Sequence, residues 1–128
     1  MALLVSDYDE AIEFYIQVLN FKLIEDTKLD DEKRWVLVSP NNKGGTNLLL
    51  AKAQKEEEKA AVGNQSGGRV FLFLYTENFE KEYQNLLSNN VTIIREPKTE
   101  PYGTVAVFAD LYGNLWDLIQ PSAGFNEG

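Results

Sequence analysis

Chemistry in this 128-residue chain falls almost entirely to oxygen, because it holds neither histidine nor cysteine. Without cysteine there are no disulfides, thiolate metal sites or thiol nucleophiles, and without histidine no Ser/His/Asp relay can be assembled. The pairs Gly44-Gly45 and Gly67-Gly68 lack the companions of a phosphate-cradling loop and read as turns. Carboxylates remain, 20 Asp and Glu against 12 Lys and Arg. The most distinctive sit near the end, in Asp110-Leu111-Tyr112-Gly113-Asn114-Leu115-Trp116-Asp117-Leu118-Ile119, a turn followed by an alternating strand. Asp117 with Tyr102 or another carboxylate would be an acid–base pair, but no spacing supports it. No residue is assigned a catalytic role.

The elements that must position these groups repeat. A strand at Ala2–Val5 leads to a helix over Asp7–Leu19, where Asp7 and Glu10 have capping-box spacing and Ala11, Ile12, Tyr15, Ile16 and Leu19 make an apolar stripe. Strands at Phe21–Asp26, Arg34–Ser39 and Thr46–Ala51 follow, separated by the turn compositions Asp30-Asp31-Glu32 and Pro40–Gly45. The order then recurs: strand Arg69–Tyr75, a helix marked by Phe79, Tyr83, Leu86 and Leu87, and strands Val91–Arg95, Thr104–Ala109 and Leu115–Gln120. The fold class is α+β, two tandem βαβββ units. One domain, 1–128, holds unit 1 (1–52), a linker (53–68), unit 2 (69–121) and a tail (122–128). The polar stretch Lys52–Gly68 is a solvated connector or a lid over a ligand site.

The formal charge of −8 argues against nucleic acid, which needs a basic surface; it serves solubility, or raises the local concentration of cationic ligands. No run approaches the ~20 apolar residues of a membrane span, and Met1–Val5 lacks the charged leader of a secretory signal. A cytoplasmic protein is expected.

The segments Val5–Tyr15, Leu19-Asn20-Phe21 and Asp110–Ile119, at opposite ends of a duplicated βαβββ pattern, resemble the vicinal oxygen chelate superfamily of glyoxalase I, extradiol dioxygenases and bleomycin-resistance proteins. Leu111 stands where that family often has proline. The resemblance implies curved mixed sheets around a central cleft, helices outside, and up to four metal ligands, one each on the first and last strands of both units. Here those positions fall at or before Met1, at Leu49, at Arg69 and at Asp117. Leucine and arginine offer no lone pair, and one carboxylate is too few for a divalent ion. No metal and no cofactor is expected.

Counting alternation from Asp117 turns Leu115 and Ile119 toward that cleft and Trp116 and Leu118 toward the helices. The same parity selects Arg69, Phe71, Phe73 and Tyr75 on the second unit's first strand, and Asn47, Leu49 and Ala51 on the first unit's last. Trp35 and Leu37 join them, with Tyr102 at the cleft mouth. The ligand-binding set is therefore Trp35, Asn47, Leu49, Arg69, Phe71, Phe73, Tyr102 and Asp117, and Asp117 is expected to pair with Arg69, or with a cationic group of the ligand, in place of a metal. The function expected is metal-free binding of an apolar, aromatic or cationic small molecule by a homodimer. Its rivals are a metal-dependent glyoxalase- or dioxygenase-type enzyme and a non-catalytic structural dimer.

Overall fold

A computed structural model describes residues 1–40 and 47–122. The chain divides between Gln65 and Ser66 into two compact units, each with one four-stranded mixed sheet.

In the first unit, β1 (Ala2–Val5) leads into α1 (Tyr8–Glu13), and β2 (Lys22–Lys28), β3 (Arg34–Ser39) and β4 (Leu48–Lys52) complete the sheet in the order β1-β4-β3-β2. β1 runs parallel to β4 and the other pairs are antiparallel. Asp7 caps α1 by accepting from the Glu10 amide at 2.8 Å, as its spacing predicts. The predicted Asp7–Leu19 helix is not uniform, however. From Phe14 to Val18 it widens into a π-helical turn, closed by the Leu19 amide donating to the Phe14 carbonyl at 3.1 Å. Tyr15, fully buried, meets Phe14 edge-on at 5.3 Å and Phe21 at 5.4 Å. Asn20 then takes a left-handed φ of 62°, a conformation that asparagine tolerates better than most residues. α1 packs against β3 and β4, where Val36, Val38, Leu48 and Leu50 are buried, as are Leu3 and Val5 on β1.

The second unit repeats the plan with β5 (Val70–Tyr75), α3 (Phe79–Ser88), β6 (Ile93–Glu100), β7 (Gly103–Ala109) and β8 (Leu115–Pro121), α2 being a short helix ahead of it at Glu56–Ala61. Its sheet order is β5-β8-β7-β6, again with one parallel pair, β5 with β8. Asn78 caps α3, Phe79 and Leu86 are buried, and Asn90 ends the turn at φ 59°, matching Asn20. Edge strand β6 runs five residues past its predicted end at Arg95. It accommodates Pro97 because an edge strand has a side that needs no ladder donor, and its register slips beside that residue.

The predicted linker is partly ordered. It contains α2 (Glu56–Ala61), and Glu58 reaches back to accept from the amides of Gln54 at 2.9 Å and Lys55 at 3.3 Å. At its far end Gln65 Oε1 accepts from the Leu4 amide at 2.7 Å while its Nε2 donates to the Ala2 carbonyl at 3.3 Å. One side chain thus closes the open edge of β1, and a polar sequence hid a structural role. The predicted turn over Asn41–Gly45, the start of the strand at Thr46 and most of the tail lie outside the described residues.

Candidate functional site

The Asp110–Asn114 turn aims β8. Asp110 Oδ1 accepts from the amides of Tyr112, Gly113 and Asn114, each at 3.0 Å, and Oδ2 accepts from Asn114 Nδ2 at 3.1 Å and Trp116 Nε1 at 3.2 Å. Gly113 supplies the φ of 101° that the turn requires. The indole N–H of Trp116 is thereby tied on the helix side, its ring stacked on Phe108 at 6.0 Å, and Asp117 is left on the opposite face.

On that face of the second unit, Asp117 stands between its register partners Phe73 on β5 and Val107 on β7, with Leu115 and Ile119 two residues away along β8. Phe73 is 59% and Tyr75 44% exposed. Asp117 is half-buried, and its loss of water raises its pKa above the ordinary carboxylate value, opposed by the positive charge of Arg95. That charge acts from across β7, Arg95 being the partner of Val107 on β6. Among the described residues no hydrogen bond or ion pair within 4 Å engages the Asp117 carboxylate.

The expected Arg69–Asp117 pair is therefore not formed. Arg69 precedes β5 and is exposed, its carbonyl accepting from Ser66 Oγ. The reason lies in the strand: Val70 pairs with Leu115 and Leu72 with Trp116, so Phe71 is an extra residue in a bulge. Parity counted back from Phe73 breaks there and does not carry to Phe71 or Arg69. Tyr102 occupies the β6–β7 turn, where its carbonyl accepts from the Ser122 amide at 3.0 Å. Since Gly103 pairs with Pro121 and Val107 with Asp117, it lies roughly 13 Å along the sheet from Asp117.

In the first unit, Leu37 pairs with both Glu25 and Leu49, and Ala2 and Leu4 lie beyond on β1 beside Leu49 and Ala51. Trp35, 41% exposed, is two residues from Leu37 on the same face. Asn47 is exposed just ahead of β4. A cavity of about 320 Å³ touches Leu4, Trp35, Leu49 and Ala51, and one of about 750 Å³, more polar, adjoins it through Tyr8, Arg34, Lys52 and Gln54.

Arg34, expected only as the start of a strand and not as a binding residue, organises the boundary between these cavities. Its Nε and Nη2 donate to the two oxygens of Asp26 at 3.1 and 2.6 Å, its Nη1 donates to Asp9 at 2.9 Å, and its guanidinium lies 5.2 Å from the Tyr8 ring centre. These carboxylates push its pKa still higher, so it stays charged at any working pH. The register was the missing signal: Arg34 pairs with Lys28, which brings Asp26 diagonally alongside, and a separation of eight positions conceals that in the sequence.

The donor chemistry does not fit a family-type metal. Leu49 is apolar, Arg69 has no lone pair, and Asp117 has only apolar register partners. Among the described residues no three His, Cys, Asp or Glu side chains converge to hold an ion.

Residues 1–118 match the Glyoxalase/Bleomycin resistance protein/Dioxygenase superfamily. An uncharacterized protein of Shewanella frigidimarina is 54% identical over 94% of this chain and 90% of its own length. The uncharacterized YurT of Bacillus subtilis is 36% identical over 93% and 94%. Among solved structures, UcmS2 superposes with a TM-score of 0.80 at 31% identity, covering 93% of each chain. TnmS3, an antibiotic binding protein from Streptomyces sp. CB03234, does so with a TM-score of 0.76 at 29% identity, covering 95% of this chain and 93% of its own.

Proposed function

The chain belongs to the Glyoxalase/Bleomycin resistance protein/Dioxygenase superfamily, and we propose that within it the protein is a metal-free small-molecule binder, cytoplasmic and homodimeric, whose ligand rests on the second unit's sheet face, which carries Phe73 and Asp117. The observation that carries this reading is the exposure of large aromatic side chains, Phe73 and Tyr75, on the sheet face turned away from α3. A folded protein leaves such surface uncovered where something is to bind it. An apolar, aromatic face with one fixed polar group is also the ordinary lining of a small-molecule site. That TnmS3 is an antibiotic binding protein supports a binding role. The homodimer is supported by edge strand β5, whose free side presents unpaired backbone groups that a second copy would cover.

Native mass spectrometry of protein purified without added metal tests all of this together. The expected result is a species at twice 14.5 kDa with no divalent ion, carrying or accepting an organic ligand. Stoichiometric nickel, zinc, manganese or iron that disappears in Asp117→Ala would replace this reading with the metal-dependent enzyme. A monomer at micromolar concentration would remove the dimer and leave the binding reading.

A further inference from the structure

We infer that Asp117 with Phe73 forms a subsite for an organic cation, a quaternary or protonated amine, on the sheet of the second unit. This rests on the binding role proposed above and adds the ligand's charge. The observation is a juxtaposition. A half-buried carboxylate stands directly beside an exposed phenyl ring, its register partner, and its other near neighbours are aliphatic: Leu115, and Val107 and Ile119, which are buried. An anion so placed has given up water without receiving donors in exchange, since none among the described residues reaches it.

Three kinds of partner could restore what it lost. A divalent metal needs further donors, and the aliphatic neighbours supply none. Arg95 is separated from it by the whole width of β7 and acts only through its field. A substituted ammonium needs one carboxylate for its charge and an aromatic ring for its polarised methyl or methylene groups. Both are what this face offers, with Asp117 half-buried and Phe73 59% exposed. Arg95 is on this account a competitor that holds the cation's affinity down.

The test is isothermal titration calorimetry at low salt with benzyltrimethylammonium, benzyl alcohol and benzoate. The cation is expected to bind at least tenfold more tightly than the alcohol, and benzoate weakest. Asp117→Asn should cost the cation about tenfold and leave the alcohol unchanged; Arg95→Gln should tighten the cation alone. Glu57→Gln, which removes an exposed charge from α2, should alter nothing. Equal affinities for cation and alcohol in the wild type, or a cation affinity indifferent to Asp117→Asn, would overturn the inference and leave the apolar binding face in place. Failure of all three probes to bind would remove the inference together with the reading beneath it.

Discussion

Asp110 is the residue on which the end of the chain most depends, and Asp110→Ala measures how much. Its carboxylate takes five hydrogen bonds, at 3.0 Å from three backbone amides and at 3.1 and 3.2 Å from Asn114 Nδ2 and Trp116 Nε1. The three bonds from Asn114 and Trp116 are buried, so their donors would not recover water when the carboxylate is cut back. An orphaned buried donor costs about 1–3 kcal/mol. Three of them sum to roughly 3–9 kcal/mol if nothing relaxes, and local rearrangement of an exposed turn brings the expected loss to about 3–5 kcal/mol. That is a large part of the ~5–15 kcal/mol by which a domain is stable.

Urea denaturation of the full chain followed by tryptophan fluorescence reads the loss, with Trp116 reporting on the site itself. Asp110→Asn separates the contributions. Its carbonyl oxygen can still serve the three amides, while its new N–H groups confront the two side-chain donors, so about half the loss should remain. A midpoint for Asp110→Ala within 1 kcal/mol of the wild type would show that the turn holds itself together without its hub, and the account of this motif would be wrong.

Gly103 should not tolerate alanine: a Cβ there would lie 2.2 Å from the Gln120 carbonyl at a φ of 149°, and thermal melting should show a loss of several kcal/mol, ~3 or more. Gln65→Ala removes the latch on β1, and about 1 kcal/mol of stability and the hydrogen-exchange protection of the Leu4 amide should go with it. Asp117→Asn should stabilise the protein at pH 7. Burial raises the folded-state pKa of Asp117, so the folded form holds the proton more tightly than the unfolded chain. Its unfavourable contribution is absent below the unfolded value near 3.8 and fully present once the pH exceeds the folded value. Melting curves of wild type and variant should therefore coincide near pH 3 and separate, with the variant higher, as the pH rises.

How legible the fold was follows from the kind of signal each part sends. The duplicated βαβββ order could be read because helix stripes and strand alternation are periodic, and because Asp7 and the Asp110–Asn114 turn act on neighbours within a few residues. Bulges are local irregularities with no compositional mark, so the extra residue at Phe71 escaped and took the inferred Arg69–Asp117 pair with it. Contacts between residues far apart in sequence escaped for a different reason. Gln65 closes a strand edge more than sixty positions earlier, and Arg34 gathers Asp9 and Asp26 from a helix and a neighbouring strand. Nothing in a run of glutamates, glycines and glutamine distinguishes a latch from a connector. The position of Asp117 was readable from alternation, but its solitude was not, because that depends on which residues three other strands bring beside it.

That solitude links stability to function. A half-buried carboxylate with no donor among the described residues works against folding, and Asp117→Asn should relieve it. The same substitution should remove the preference for a cation. A residue kept for packing would lose stability when replaced, and a residue without a role would change neither property. Gain in stability with loss of charge selectivity is the pattern of a group whose partner arrives with the ligand. Asp110, a carboxylate seven residues away and fully supplied with donors, should behave in the opposite sense, losing stability through the fold it organises. The two aspartates of one motif thus give opposite signs in one denaturation experiment, and the sign identifies which of them the fold uses and which it leaves for a ligand.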